Sequence, residues 1–153
     1  MTLRIRSYAA SDYPAVRALI ESVLTEFGFA FAVGGLAQDL QEIGARYGTP
    51  QAGFWVAEAG EVLVGTVAIR PKADRTCELK RLYLGPRWRG QGLGQVLYAH
   101  AESFARQAGY DRIWLDSSRR FGSAHRLYER NGFVLVERLD NDWEDNVYEK
   151  RLT

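Results

Sequence analysis

The chain has 153 residues, 46% apolar and 25% charged, with 20 cations against 19 anions and a net charge of +1. This composition excludes a disordered, charge-solvated chain. It also excludes a protein whose hold on nucleic acid rests on a large excess of phosphate-neutralising cations. Of the cations 17 are Arg and only 3 are Lys, which favours planar, hydrogen-bonded contacts over solvated point charges.

In chain order, Leu3–Tyr8 sets Leu3 and Ile5 against Arg4 and Arg6, an alternation that predicts a strand. Ser11 offers an N-cap and Pro14 a first-turn proline. Val16, Leu19, Ile20, Val23, Leu24 and Phe27 then follow helical spacing over 12–27. Residues 28–35 read as a loop carrying Phe29 and Phe31, and Leu36, Leu40, Ile43 and Tyr47 predict one short helix ending near Gly48 and Pro50. Phe54–Ala57 and Val62–Arg70 form a hairpin pattern around Gly60, and Thr76–Leu84 is a further strand. Gly92–Ala108 is the strongest helix: Leu93, Val96, Leu97, Ala101, Phe104 and Ala108 make one apolar stripe that Gly109 terminates. A strand at Arg112–Asp116, a helix at Phe121–Asn131 closed by Gly132, and strands at Phe133–Leu139 and Asn146–Leu152 complete the chain. The order predicts one α/β (α+β) domain over 1–153, with a mixed, mostly antiparallel central sheet and helices on both faces.

Cys77 is the only cysteine, so no internal disulfide can form. No apolar run approaches the roughly 18 residues of a membrane span, and the N-terminal segment lacks the apolar core of a signal peptide. These features lead to the expectation of a cytoplasmic protein with no membrane or nucleic-acid partner.

The strand 76–84 breaks period two: Cys77 and Leu79 are odd, Leu82 and Leu84 even. A β-bulge near Lys80–Arg81 places all four on one face. The alternative has Tyr83 packing on the second face with no slip. After this strand comes Arg89-Gly90-Gln91-Gly92-Leu93-Gly94, with Lys80, Arg81, Arg87 and Arg89 as surrounding cations and a helix behind it. Glycines that permit close approach, followed by the unpaired N–H groups of a helix start, make a receptor for phosphate or pyrophosphate. A P-loop string is absent. A dinucleotide fingerprint fails at its third glycine, where Gln95 stands, although Asp116 falls near the place of a ribose-binding acid. A nucleotide-binding α/β module is therefore one alternative.

Three segments in this order resemble the GNAT superfamily of N-acetyltransferases. Arg89–Gly94 is similar to its pyrophosphate signature Arg/Gln-x-x-Gly-x-Gly/Ala, Glu78–Leu84 resembles its bulged central strand, and Leu127-Tyr128-Glu129-Arg130-Asn131-Gly132-Phe133 resembles its Leu-Tyr-x-x-x-Gly-Phe segment. The resemblance implies the acyl-CoA N-acyltransferase fold, acetyl-CoA as co-substrate, no metal, and transfer of an acetyl group to a primary amine. On that basis, backbone at Leu82, Tyr83 and Leu84 holds the cofactor's amide arm and thioester. Arg87, Arg89, Gly90, Gln91, Gly92, Leu93, Gly94 and Gln95 receive its pyrophosphate. Tyr128 is the candidate acid for the departing thiolate, and Glu78 the candidate base. Many members carry Asn where this chain has Phe121; Arg120 and Ser123 are the neighbouring replacements.

Six acids, Glu137, Asp140, Asp142, Glu144, Asp145 and Glu149, crowd the final hairpin around Trp143, opposed only by Arg138. With Phe27, Phe29 and Phe31 as a facing wall, they predict a cationic acceptor, either a small-molecule amine or a protein amino group. The chain is expected to act as a monomer or homodimer. A second alternative keeps the fold without catalysis, as an acyl-CoA-binding regulatory module. His100, His125 and a nucleophilic Cys77 are weaker candidates, lacking evident partners.

Overall fold

The computed structural model describes residues 3–30 and 36–152. Phe31, expected in the aromatic wall, lies outside the described residues. The strands are β1 (Leu3–Ser7), β2 (Gly53–Ala59), β3 (Val62–Ala73), β4 (Thr76–Leu84), β5 (Arg112–Ser118), β6 (Val134–Arg138) and β7 (Asp145–Arg151). The helices are α1 (Tyr13–Glu26), α2 (Leu36–Gln41), α3 (Ile43–Arg46), α4 (Leu93–Gln107) and α5 (Gly122–Arg130). The strands join in one sheet of order β1-β2-β3-β4-β5-β7-β6, in which β4 and β5 make the parallel pair and every other pairing is antiparallel. A nucleotide-binding βαβ sheet would be mostly parallel, so that alternative falls here.

Both faces of the central strands are covered, which is why β2 and β3 read as nearly continuous apolar runs. Leu97, Tyr98, Ala101 and Ala105 of α4 pack on Val67, Ile69, Cys77, Leu79, Ile113 and Leu115. On the opposite face Val16, Ile20, Leu24, Leu36, Leu40 and Ile43 pack on Phe54, Val56 and Ala68. Leu97 is fully buried, and Leu97→Ala is expected to cost about 3 kcal/mol. Urea unfolding should show a lower midpoint at unchanged slope.

The bulge in β4 is present. Thr66 pairs with Tyr83 and Ala68 with Lys80, so Arg81 and Leu82 oppose the single residue Val67. Arg81 sits at φ +56°, where side chains are disfavoured. Leu82 and Leu84 therefore join Cys77 and Leu79 under α4, while Tyr83 turns to the other layer. Slip and second-face packing of Tyr83 occur together.

Two local readings need correction. The single helix expected over 36–47 is α2 and α3, broken at Glu42 (φ −112°, ψ 24°). Its apolar spacing conceals the break, because Leu36, Leu40, Ile43 and Tyr47 are buried on one side throughout. Ser11 does not cap α1. A 3-10 turn over Ala10–Asp12 makes Asp12 the N-cap residue. Its carboxylate accepts the Ala9 N–H at 2.8 Å and both Arg6 Nη groups at 2.8 Å. Those Arg6 hydrogen bonds hold the Asp12 carboxyl below its ordinary range against the opposing effect of burial. A depressed carboxyl contributes stability in full above about pH 4, its unfolded range, and loses it as pH falls through the folded value. Tm should fall below about pH 4 in wild type, and less steeply in Asp12→Asn.

Candidate active site

Parallel pairing of β4 and β5 stops at Glu78 and Trp114. Beyond that point the strands part, leaving facing backbone groups without ladder partners. The resulting cleft, about 630 Å³, is lined by Leu79–Leu84 of β4, Asp116–Ser118 of β5, the glycine turn and the inner side of α5. At one end Gly90 and Gly92 hold φ of +74° and +81°, with nothing within 4 Å of where a Cβ would stand. Gly92 caps α4, so the N–H groups at the start of this 15-residue helix point into the same end.

Tyr128 of α5 lines the cleft and is 5% exposed. The Gly-Phe pair that follows explains its placement. Gly132 at φ +90° ends α5, its N–H bonding Glu129 O, and the Phe133 N–H returns to Tyr128 O at 3.0 Å. Phe133 and Tyr148 pack against the Tyr128 ring at centroid distances of 5.7 and 5.9 Å. Burial, and then the neighbouring Tyr83, push the Tyr128 phenol well above its ordinary value, so it remains a neutral O–H donor.

Of the residues expected to hold the cofactor, the cleft brings together Leu82, Tyr83, Leu84, Arg89, Gly90, Gly92, Gly94, Gln95 and Ser123. Arg87, Gln91 and Leu93 are not among its lining. The Gln91 side chain instead donates to Arg87 O at 3.1 Å. Arg89 is spent on structure: it forks onto Glu26 at 2.7 and 3.0 Å and donates to Leu84 O at 3.0 Å, tying α1 to the end of β4. Two further cations, Arg126 and Arg130, stand one turn apart on α5 and line the cleft together with Arg89. The sequence reading gave them no role; their i, i+4 spacing on either side of Tyr128 was the available signal. Gln95 pairs amide to amide with Asn131 at 3.0 and 2.7 Å, fixing the start of α4 to the end of α5.

Glu78 is buried but lies outside the cleft lining. Its carboxylate accepts Arg70 Nε at 3.1 Å and lies 3.6 Å from Lys80 Nζ, in a shallow depression with Arg46 and Lys72. Cys77 is fully buried, and burial pushes its thiol up to about 12. His100 packs on Trp55, and His125 Nδ1 lies 3.3 Å from Tyr148 Oη; neither lines the cleft.

The acidic hairpin is divided in the fold. Glu144 pairs with Arg120 at 2.6 Å and Glu149 with Arg112 at 3.5 Å. Of the six acids only Asp145 lines the cleft, with Trp143 beside it. Arg120 also donates to Phe27 O and Gly28 O, so it braces the wall and does not face the cofactor end. Phe121 packs on Phe27, Phe29 and Tyr83. Phe27, Tyr83, Phe121 and Trp143 thus make one aromatic side of the cleft. Asp116 opens into it from β5. Asp116 is exposed to the cleft, and partial desolvation by the cleft walls, then Asp145 and Glu78, raise its carboxyl, with Lys80 opposing them. Burial likewise raises Asp145, against the hydrogen bond from Asn141. The sequence ended the strand at Asp116, whereas β5 continues to Ser118, and it offered Asp116 only the role of a ribose-binding acid.

Residues 17–133 match the acetyltransferase (GNAT) family. An uncharacterized N-acetyltransferase of Escherichia coli, YjgM, is 32% identical over 138 residues, covering 87% of this chain and 83% of its own. The solved GNAT-family acetyltransferase of Staphylococcus aureus superposes with a TM-score of 0.89 at 23% identity, covering 99% of this chain and 100% of its own. The PaiA N-acetyltransferase of Thermoplasma acidophilum, solved in complex with coenzyme A, superposes at 0.72 with 21% identity and 99% coverage of both chains. A bulged β4, a parallel pair that opens, a glycine turn at a helix start and a tyrosine held in the opening are thus joined to a family match over most of the sequence, and the chain belongs to the GNAT family of acetyltransferases.

Proposed function

We propose that this acetyltransferase moves the acetyl group of acetyl-CoA directly onto a primary amine within the cleft. The observation that carries the reading is the continuity of one cavity from the glycine turn, past the freed edge of β4 and Tyr128, to Asp116 and the aromatic side. The relative solved with coenzyme A supports the same cofactor here. Its pyrophosphate meets the N–H groups around Gly90–Gln95, with Arg126 and Arg130 adjacent. Its amide arm pairs with backbone at Leu82–Leu84.

An alkylamine is almost wholly protonated at neutral pH and has no lone pair for attack. Asp116, raised and open to the cleft, attracts the ammonium and takes its proton, while Asp145 adds negative potential behind it. The amine attacks the thioester carbonyl, the tetrahedral centre collapses, and the C–S bond breaks, the nitrogen giving up its second proton through solvent in the cleft to restore the Tyr128 phenol. Tyr128 Oη donates its hydrogen bond and proton to the departing sulfur. Burial that raises the phenol also raises a thiolate released beside it, so the transfer is not opposed by a large difference in acidity. The aromatic side favours an amine with an apolar substituent next to the nitrogen. Glu78, held by Arg70 and Lys80, acts on the field at Asp116 and does not face the amine.

Thiol release from acetyl-CoA across a panel of polar and apolar primary amines tests the reading. Amine-dependent release, with one acetylated amine per thiol and the apolar amines preferred, is expected. Release that ignores the amine, by a chain that still binds CoA, would overturn it.

A further inference from the structure

We infer that Asp39 of α2 is a positioning residue for the cofactor edge, acting by clamping Arg81 in the left-handed conformation that creates the β4 bulge. The inference rests on the reading of Leu82–Leu84 as the edge that binds acetyl-CoA, and it adds to that reading a residue from the opposite layer of the fold.

Arg81 is an unfavourable choice for its position on two counts. Its φ of +56° puts its Cβ where a residue other than Gly, Asn or Asp is strained. Its guanidinium is also nearly buried, with the side chain 13% exposed. Glycine would remove both costs, so the arginine must be held by something the fold supplies. Asp39 Oδ2 accepts Arg81 Nε at 3.0 Å and Nη2 at 2.9 Å. From β3, Thr66 Oγ1 donates to Arg81 O at 2.7 Å, fixing the other side of the same peptide.

Asp39 is itself 4% exposed in its side chain and is the hub of the layer. Its Oδ1 accepts Arg46 Nη1 at 3.3 Å, Tyr47 Oη donates to Oδ2 at 3.2 Å, and Arg70 stands 3.9 Å away. Burial alone would raise this carboxyl, but the charge and hydrogen bonds of Arg81 bring it below its ordinary range. The ionised form is therefore the one built into the fold. Removing that charge leaves the Arg81 cation buried beside Arg46 and Arg70 without its carboxylate partner, the costly way to break a buried pair. The strain at residue 81 then loses its restraint. The bulge relaxes toward regular pairing, which turns Leu82 and Leu84 away from the α4 face and moves the groups meant for the cofactor.

Two features separate this clamp from ordinary stabilisation. It acts on one substrate: Asp39→Asn is expected to raise the KM for acetyl-CoA and the Kd for CoA about tenfold, with the KM for the amine within about threefold. It also has a specific rescue. Glycine at residue 81 adopts positive φ without strain and leaves no buried cation, so Asp39→Asn with Arg81→Gly should recover most of the CoA affinity. Asp39→Asn with Arg81→Ala, which removes the cation but keeps the strain, should recover much less. If the Asp39→Asn protein does not fold, Arg81→Gly against Arg81→Ala gives the same comparison in the wild-type background, with at least fivefold tighter CoA binding expected for the glycine.

Hydrogen exchange at the amides of residues 66–68 and 82–84, with CoA absent, reads the bulge independently of the cofactor. Asp39→Asn should speed exchange there about tenfold, and Arg81→Gly should reverse it. Equal behaviour of the glycine and alanine variants in both CoA affinity and exchange would overturn the clamp. An exchange pattern that follows the prediction in a wild-type protein that does not bind CoA would leave the clamp standing and refute the assignment of the edge.

Discussion

Replacing Tyr128 by Phe is expected to lower kcat about a hundredfold while leaving the Kd for CoA within about twofold. The variant keeps the aromatic packing on Phe133 and Tyr148, so the hydroxyl is the only group removed. In the proposed mechanism that hydroxyl acts late, when negative charge appears on sulfur, and ground-state binding does not use it. Because burial holds the phenol far above its ordinary value, its loss should not introduce or remove a basic limb in the pH–rate profile below about pH 10. A leaving group that needs no proton supplies an internal control: acetyl transfer from a thioester of a more acidic thiol should lose much less on the same substitution. Full kcat with acetyl-CoA in Tyr128→Phe would remove the residue from the mechanism and leave it as packing between α5 and β7.

Asp116→Asn is the other substitution with a large expected effect. The kcat/KM for the amine should fall about a hundredfold, because the change removes both the charge proposed to draw the ammonium and the proposed acceptor for its proton. The KM for acetyl-CoA should stay within about threefold. The sign of the accompanying stability change follows from the raised carboxyl. A group whose folded pKa exceeds its unfolded value favours the folded state at low pH and opposes it once pH rises through the folded value. Asp116 is exposed, so solvent screens most of that effect, and Asp116→Asn should keep or slightly raise the Tm at pH 7 while losing activity. In the wild type the acidic limb of kcat/KM should lie above an ordinary carboxyl. Asp145 and Glu78 push it up and Lys80 pulls it down. Asp145→Asn should move that limb to lower pH without abolishing turnover, and Glu78→Gln should move it the same way by a smaller amount. A Glu78→Gln effect on kcat as large as that of Asp116→Asn would instead return the base to β4.

How far the site could be read from the sequence depended on what each feature required. The bulge was legible because four apolar residues cannot share a face without it, and the glycine turn because only a few backbone conformations need glycine at alternate positions. Tyr128 was legible through Gly132 and Phe133, which end its helix in one particular way. Charge was the misleading guide. Lys80, Arg81, Arg87 and Arg89 read as a phosphate cluster, yet Arg89 is bound to Glu26 and Arg81 to Asp39, residues more than 40 positions away. The acidic hairpin read as a funnel for a cation, yet Arg120 and Arg112 hold two of its acids. Formal charge in a sequence does not reveal which ions the fold will pair, and in an arginine-rich chain most are paired. The placement of Arg126 and the cleft-facing position of Asp116 escaped the sequence for the converse reason. Each is one charge in an ordinary helix or strand, and it comes to line the cleft only because β4 and β5 part in front of it.

The most direct test of this account is a structure of the protein with CoA bound. The pyrophosphate is expected on the N–H groups around Gly90–Gln95, the amide arm paired with Leu82–Leu84, and the sulfur within about 3.5 Å of Tyr128 Oη, facing Asp116 across the open cleft. A CoA bound at the glycine turn, with its sulfur directed away from Tyr128 or into the depression around Glu78, would contradict it.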